Sequence, residues 1–90
     1  MISVCIPVFN FDITQLVADL SRQAEEIGSS VEIILIDDAS DEKYKKINAP
    51  ACVRHTYVEL NKNVGRAKIR NLFLDYALNE FLLFIDCDSK

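Results

Sequence analysis

The chain has 90 residues and a formal net charge of −4, because 10 Lys and Arg stand against 14 Asp and Glu. An acidic chain is not a general nucleic-acid binder, since such proteins need a basic face to displace the counterions of the phosphates. Hydrophobic residues make up 50% of the sequence, with only 2 Gly and 2 Pro, which excludes a disordered or low-complexity chain. The composition therefore predicts one small globular domain over residues 1–90.

The cysteines Cys5, Cys52 and Cys87 are odd in number and lack the CxxC spacing of zinc sites. We therefore expect free thiols in a reducing, cytoplasmic compartment. No apolar run approaches the roughly 20 residues that a membrane-spanning helix needs, and no basic segment precedes the first strand pattern. A cytoplasmic protein without a membrane partner in this segment is the expectation.

Hydrophobic periodicity predicts strands and helices in the order βαβαβαβ. Short runs of aliphatic and β-branched residues are typical of parallel strands that are covered on both faces. Apolar residues that recur every three or four positions are typical of helices packed on a sheet. The predicted segments are strand Ile2–Val8, a helix between Asp12 and Gly28, strand Val31–Asp37, a helix from a Ser40 cap to about Ile47 with Pro50 ending it, strand Cys52–Leu60, helix Val64–Asn79 and strand Phe81–Ile85.

This order predicts an α/β fold of three layers with a doubly wound, mainly parallel sheet. The third strand alternates loosely and is expected near a sheet edge, whereas the fourth strand is expected to be buried. Ligands of such sheets bind beyond the carboxyl ends of the strands, where the strand order reverses. Polar residues follow the predicted strands at that edge, in Pro7–Asn10, Asp37–Asp41 and Asp86–Lys90.

The segment Asp37–Asp41 (DDASD) directly follows a buried strand pattern. Ser40 and Asp41 suit the cap and the first turn of a helix. Capping does not account for Asp37 and Asp38 together, because adjacent carboxylates repel each other. At least one of the two is therefore expected to have a ligand or a hydrogen-bond donor as its partner.

The motif Asp86-Cys87-Asp88 follows the last predicted strand. Two carboxylates one residue apart can converge on a hard divalent cation of the kind that also binds substrate phosphates. An Asx-type turn that ends the strand is the structural alternative. The sequence therefore indicates either a metal site or a turn at this position.

Basic residues open the helix in the segment Asn61–Asn71 (NKNVGRAKIRN). Arg66, Lys68 and Arg70 run against the usual preference for acidic side chains in the first turn of a helix. A phosphate-bearing ligand would explain this mismatch, and solvated charges on an exposed turn are the alternative. Gly65 permits a close backbone approach or an unusual φ angle.

Four segments, in this order, resemble the family 2 glycosyltransferases with a GT-A fold. The matching stretches are SVCIPVFN, EIILIDDASD, NKNVGRAKIRN and FLLFIDCD, which begin at Ser3, Glu32, Asn61 and Phe81. The resemblance implies a GT-A/Rossmann-like half domain. It also implies transfer of a sugar from a nucleotide-diphosphate sugar, most often a UDP-sugar, to an acceptor, with Mn²⁺ or Mg²⁺ as the cofactor.

The resemblance also assigns residues by position. It places Pro7 and Phe9 along the nucleotide pocket and Asp38 against the base. It makes Asp88 the direct metal ligand and turns Asp86 towards the ribose or the metal. The residues that it assigns to the donor nucleotide are Pro7, Phe9, Asp38, Gly65, Arg70 and Asp86, with Asn71 in the same segment as Arg70.

This sequence departs from the family pattern at Phe9, where tyrosine is common, and at Ala39, where glycine is common. Family members also continue into an acceptor-binding half that supplies a general base, for which this chain offers no candidate. Such a base contributes about 10²–10⁴ in rate. The resemblance therefore predicts a truncated donor- and metal-binding half that is not active alone.

Two other interpretations remain open. A receiver-like phosphoacceptor domain would use the acidic pair that follows Ile36 and a phosphorylated Asp86, but it would leave the first strand and helix unexplained. A non-catalytic nucleotide-binding remnant would keep the pocket without the transfer, and such a chain could assemble with itself through an exposed sheet edge.

Overall fold

The computed structural model describes residues 2–27, 31–78 and 81–85. Strands and helices alternate along the chain, which confirms the predicted order. The elements are β1 (Ile2–Val8), α1 (Thr14–Ile27), β2 (Val31–Asp37), α2 (Glu42–Ala51), β3 (Thr56–Glu59), α3 (Arg66–Tyr76) and β4 (Phe81–Phe84).

The described strands form one parallel sheet in the order β3-β2-β1-β4. β1 and β2 pair along their whole length, from Ile2 opposite Val31 to Val8 opposite Asp37. β2 and β3 follow in turn on one side of β1, and β4 pairs with β1 on its other side. Right-handed crossovers therefore put α1 and α2 on one face of the sheet and α3 on the other. The predicted doubly wound, three-layer α/β fold is confirmed.

Alternate residues of β1 and β2 enter two separate cores, one on each face of the sheet. The core beneath α1 and α2 contains Val4, Ile6, Val8, Ile13, Val17, Ile33, Leu35 and Cys52. The core beneath α3 contains Cys5, Ile34, Ile36, Ile69 and Phe73. Because both faces of these two strands are buried, both sequences read as nearly continuous apolar runs.

The prediction that the fourth strand is buried is wrong for one of its faces. Phe81 and Leu83 are 68% and 46% exposed, because β4 lies at the edge of the described sheet. The opposite face packs against α3 through Leu82 and Phe84. The ring of Phe84 meets that of Phe73 edge to face, with the centroids 5.8 Å apart.

The predicted ends of α2 are also wrong. The residue that precedes the helix is Asp41 rather than Ser40, and its side chain makes no capping hydrogen bond. Pro50 does not end the helix, which continues to Ala51. Proline has a φ angle that suits a helix, and in the last turn it removes only the bond from its own nitrogen to the carbonyl of Lys46.

β1 and β2 have the predicted bounds, whereas β3 and α3 are shorter than predicted. β3 covers Thr56–Glu59, and the segment before it turns, with the N–H of His55 donating to the carbonyl of Cys52 over 3.0 Å. β3 does lie at the sheet edge, as expected. The predicted helix ends at Gly28 and Asn79 lie outside the described residues. In the part of the chain that the structure describes, no helix combines the length and the apolar character that a membrane span requires.

Cys5 and Cys52 are buried free thiols, as the sequence suggests. Burial raises the pKa of each thiol to about 11, and the charge of Glu32 adds to the rise at Cys5. Both side chains therefore stay protonated at neutral pH and pack as small apolar groups, without the reactivity of a thiolate. Cys87 lies outside the described residues.

The buried amide of Asn48 joins α2 to the segment that leads into α1. Its Oδ1 accepts a hydrogen bond from the backbone N–H of Ile13 over 3.0 Å. Its Nδ2 donates to the carbonyl of Phe11 over 2.8 Å. Asn48 thus satisfies two backbone groups that no strand or helix serves.

We predict that Asn48→Ala lowers the free energy of unfolding by about 2–4 kcal/mol, because a backbone donor and a backbone acceptor both lose their partner. Asn48→Asp should be at least as harmful, since a carboxylate cannot donate to the carbonyl of Phe11. Urea unfolding measures both changes. Lys46→Ala, an exposed site on the same helix, is the control and should change stability by less than about 0.5 kcal/mol. Equal effects at the two positions would contradict the assignment.

Candidate functional site

The loops that follow β1 and β2 are joined by the side chains of Asn10 and Ser40. The N–H of Asn10 donates to the hydroxyl of Ser40 over 2.9 Å, and the N–H of Asp41 donates to Oδ1 of Asn10 over 2.8 Å. The N–H of Asp38 also donates to the carbonyl of Val8 over 2.8 Å, so the strand pairing continues into the loops. These hydrogen bonds therefore hold the loop after β1 and the loop after β2 together.

Asp37 closes the turn after β2. Its buried carboxylate accepts hydrogen bonds from the hydroxyl of Ser40 and, over 2.9 Å, from the N–H of Ser40. Ser40 therefore serves the turn rather than the helix that follows it. Burial, followed by the charge of Asp37, raises the pKa of the neighbouring Tyr57 hydroxyl.

Asp38 connects the end of β2 to the start of α3. Its Oδ1 accepts the N–H of Val64 over 2.7 Å, and its Oδ2 accepts the N–H of Gly65 over 3.1 Å. The side chain of Asn63 donates to the backbone carbonyl of Asp38 over 3.1 Å. Both members of the acidic pair thus have donors, which confirms that at least one needed such a partner.

Among the described residues of this edge, three have a positive φ angle: Asn10 at 48°, Ala39 at 60° and Gly65 at 88°. Asparagine and glycine tolerate this region, whereas the Cβ of alanine crowds the following carbonyl. Ala39 therefore carries backbone strain at the position where the sequence departs from the glycine of the family pattern.

The first turns of α3 carry Arg66 and Arg70, which are four residues apart and therefore on one face of the helix. The guanidinium carbon of Arg70 lies 4.8 Å from the centroid of the Phe84 ring, a cation–π contact between α3 and β4. The planar guanidinium is therefore held against an aromatic wall.

A cavity of about 280 Å³ opens at the carboxyl ends of β1 and β4. Its lining comes from three elements and the residue after β4: Pro7, Arg66, Arg70, Phe84 and Ile85. The N–H of Ile85 donates to the carbonyl of Cys5 over 3.0 Å, which keeps the chain beside β1 up to the cavity. This is the point where the strand order reverses, the usual binding place in such sheets. Two guanidinium groups with apolar walls suit an anionic ligand that also has an apolar part.

The structure brings together some of the residues that the sequence assigned to the site. Pro7 and Arg70 share the cavity, whereas Phe9 is 53% exposed on the following loop and is not part of the lining. Asp38 and Gly65 contact each other at the start of α3. Asn71 is exposed on the same helix.

The metal assignment falls on Asp86 and Asp88, which lie outside the described residues. Within residues 2–27, 31–78 and 81–85, no three or more His, Cys, Asp or Glu side chains gather as they would around a metal ion. Sequence reasoning named Arg66 only among the basic residues that a phosphate-bearing ligand would explain, and it assigned no site role to Phe84. The basic residues at the start of the helix were the signal for Arg66. The pattern around Phe84 indicated only a strand residue.

Comparison with known proteins identifies the family. Residues 3–90 match the family described as Glycosyl transferase family 2. The chain belongs to glycosyl transferase family 2. The match includes β1 and α1, which a receiver domain would leave unexplained, and it therefore decides against the receiver interpretation.

The family 2 chain is similar to proteins of Staphylococcus aureus and Rickettsia conorii. It is 33% identical over 97 aligned positions to the poly(ribitol-phosphate) β-N-acetylglucosaminyltransferase TarS of Staphylococcus aureus, covering 97% of this chain and 16% of that protein. It is 30% identical over 90 positions to an uncharacterised glycosyltransferase of Rickettsia conorii, covering 98% of this chain and 15% of that protein. The chain thus spans less than one fifth of the length of either relative.

A solved structure confirms the fold. The mannosyltransferase PcManGT of Pyrobaculum calidifontis, in complex with GDP-Man and Mn²⁺, superposes with a TM-score of 0.79 at 22% identity. The superposition covers 97% of this chain and 27% of the mannosyltransferase. The family 2 chain therefore has the architecture of the corresponding part of a GT-A glycosyltransferase.

We predict that Ala39→Gly raises the free energy of unfolding by about 1 kcal/mol, because it relieves the cost of a positive φ angle at a non-glycine residue. Thermal and urea unfolding measure the change. Ala24→Gly, inside α1, is the matched control and should lower stability by about 0.5–1 kcal/mol. Destabilisation at both positions would show that Ala39 is not strained.

Proposed function

We propose that this chain forms the donor-binding half of a nucleotide-sugar-dependent glycosyltransferase, with the diphosphate of the donor in the cavity between β1 and β4. The observation that carries the proposal is the pair Arg66 and Arg70 in that cavity, at the reversal of strand order. Family membership supports the same chemistry.

The arginines suit a diphosphate in geometry and in charge. A guanidinium group donates two parallel hydrogen bonds to phosphate oxygens, and Arg66 and Arg70 present two such groups from one helix face. When the sugar is transferred, negative charge develops on the departing nucleoside diphosphate. Cations that are already fixed in place stabilise that charge without reorganisation in the transition state.

The apolar walls of the cavity suit the nucleoside part of the donor. Pro7 and Phe84 line the cavity, and the exposed ring of Phe9 stands on the loop that follows β1. An exposed aromatic ring can stack on a base, and Phe9 follows the cavity residue Pro7 by two positions, which favours Phe9 as the base platform. UDP is the nucleotide that we propose, with GDP as the comparison because it is the nucleotide in the solved relative.

We further propose that Asp88, with Asp86, holds a divalent cation, Mn²⁺ or Mg²⁺. The motif follows Ile85 directly in sequence, and Ile85 lines the cavity. The donor set fits, because hard cations take carboxylate oxygens together with substrate phosphates. Such a cation, when bound, neutralises diphosphate charge as the leaving group departs.

The complete reaction also needs an acceptor site and a general base, so we propose that transfer requires more than these 90 residues. The buried free thiols support a reducing, cytoplasmic setting for the donor half. A nucleotide-binding remnant without transfer would keep the same pocket, and a sugar-transfer assay separates it from the enzyme.

We predict that UDP binds more tightly than GDP and that Arg70→Gln weakens UDP binding about tenfold, because one charge-assisted phosphate contact is lost. Isothermal titration calorimetry measures both. Lys68→Gln is the matched control: it removes the same charge from the same helix at an exposed residue that does not line the cavity. Equal losses in both variants would indicate a non-specific charge effect. Absence of UDP and GDP binding by the unmodified chain would refute the donor site.

We predict that Mn²⁺ strengthens UDP binding by about tenfold or more and that Asp88→Asn removes this dependence, because the variant lacks a charged oxygen ligand. Titrations with Mn²⁺ and with EDTA measure the ratio. Asp75→Asn, at an exposed acidic residue of α3, is the control and should retain it. An Asp88→Asn variant with undiminished metal dependence would exclude this ligand assignment.

A further inference from the structure

The helix α2 and the turn that follows it form a basic stretch in an acidic chain. Residues 43–58 contain no Asp or Glu, whereas the whole chain has a formal net charge of −4. Glu42 and Glu59 flank the stretch. Charges act mainly within a Debye length, about 8 Å at physiological salt, so the local sign of the charge governs a surface contact. The basic side chains of the stretch are Lys43, Lys45, Lys46 and Arg54.

α2 buries one side and exposes the other. Asn48 bonds to the segment before α1, and Cys52 lies in the core beneath α1 and α2. Positions three, four and seven residues apart share one face of a helix, and those that follow Lys43 at this spacing are all exposed. Two further exposed residues follow the end of the helix. Together these residues form the α2 face, which consists of Lys43, Lys46, Ile47, Pro50, Val53 and Arg54.

The α2 face combines exposed cations with exposed apolar side chains. Ile47 is 43% exposed and Val53 is 79% exposed. Within the part of the chain that the structure describes, Lys43, Lys46 and Arg54 form no ion pair with a carboxylate. Such a surface suits a partner that offers negative charge and an apolar region side by side.

We propose that the α2 face docks on the surface of a membrane that contains anionic lipids. The cations attract the lipid phosphate groups, and Ile47 and Val53 enter the boundary between the headgroups and the acyl chains. A soluble polyanion would pair with the cations but leave both apolar side chains in water, so the composition of the face favours the lipid surface. No residue of the α2 face lines the cavity, and the proposal is therefore independent of the donor site.

This contact needs no membrane-spanning segment. The lack of a long apolar run led to the expectation that this segment has no membrane partner. A helix that lies on a bilayer is instead marked by charged and apolar side chains on its surface, whatever its length. α2 begins directly after the loop that follows β2, so docking brings the carboxyl edge of the sheet close to the lipid headgroups.

Vesicle flotation on a density gradient tests the docking with the 90-residue chain. Vesicles of phosphatidylcholine and phosphatidylglycerol in equal parts should carry the chain upwards, whereas vesicles of phosphatidylcholine alone should not. Salt at about 1 M shortens the Debye length to about 3 Å and should release most of the chain. Absence of flotation with the anionic vesicles, or equal flotation with the neutral ones, would overturn the proposal.

A charge variant tests whether the α2 face is the surface that docks. The double substitution Lys43→Gln with Lys46→Gln should lower partition onto the anionic vesicles about tenfold or more, because two surface cations are lost. Arg22→Gln with Lys62→Gln is the matched control, since it removes the same charge at exposed positions outside this face, and it should lower partition less than threefold, or about 0.7 kcal/mol. Equal losses in the two variants would show an effect of net charge alone and would contradict the assignment.

An apolar variant separates a lipid surface from a soluble polyanion. Ile47→Gln with Val53→Gln should lower partition onto the anionic vesicles about tenfold, while the affinity for inorganic polyphosphate, measured by calorimetry, should not change. Leu74→Gln, at a 63% exposed apolar residue of α3, is the control and should change neither. Vesicle binding that survives the loss of both apolar side chains would make a polyanion the partner and overturn the lipid proposal. Circular dichroism verifies the fold of each variant, and the charge variant decides if the apolar variant is unfolded.

Discussion

The structure depends on the burial of β1 and β2 on both faces. These two strands pair along their full length, and their alternate side chains form the cores beneath α1 and α2 on one side and beneath α3 on the other. Burial of apolar surface is the main force that favours folding, and here the same strands contribute to both cores. Every helix therefore takes its position from this central pair.

The same arrangement creates the binding edge. The helix after β1 lies on one face of the sheet, and the helix before β4 lies on the other. The strand order therefore reverses between β1 and β4, and the cavity opens at the carboxyl ends of these two strands. The loops of β1 and β2 are then tied by Asn10 and Ser40, and Asp38 fastens the start of α3 to them. The burial of β1 and β2 thus sets the positions of the polar loops at the carboxyl edge of the sheet.

Sequence patterns predicted most of this fold because hydrophobic periodicity and turn chemistry are local signals. The bounds of β1 and β2 are those expected, and the acidic pair does have donors. The predictions failed where a distant group decides. The hydroxyl of Ser40 accepts a hydrogen bond from Asn10, 30 positions away in the chain, and Ser40 does not cap α2. Only the neighbours of β4 determine that Phe81 is exposed.

Distant partners also explain what sequence reasoning missed. The amide of Asn48 serves backbone groups 35 and 37 positions away, and no pattern around it indicates that role. The sequence pattern indicated only that Phe84 belongs to a strand, yet its ring contacts both the ring of Phe73 and the guanidinium of Arg70. Such contacts depend on how crossovers bring elements together, which periodicity along the chain does not encode.

The sequence by itself determined the order of the elements, the family and the residue types available at the strand ends, because each follows from neighbouring residues and their spacing. Only the tertiary structure decided which of these residues meet. It joined Pro7, Arg66 and Arg70 around one cavity and turned the carboxylate of Asp38 to the start of α3. The physical reason is that the crossovers bring residues far apart in the chain within hydrogen-bonding distance, where directional bonds select their partners.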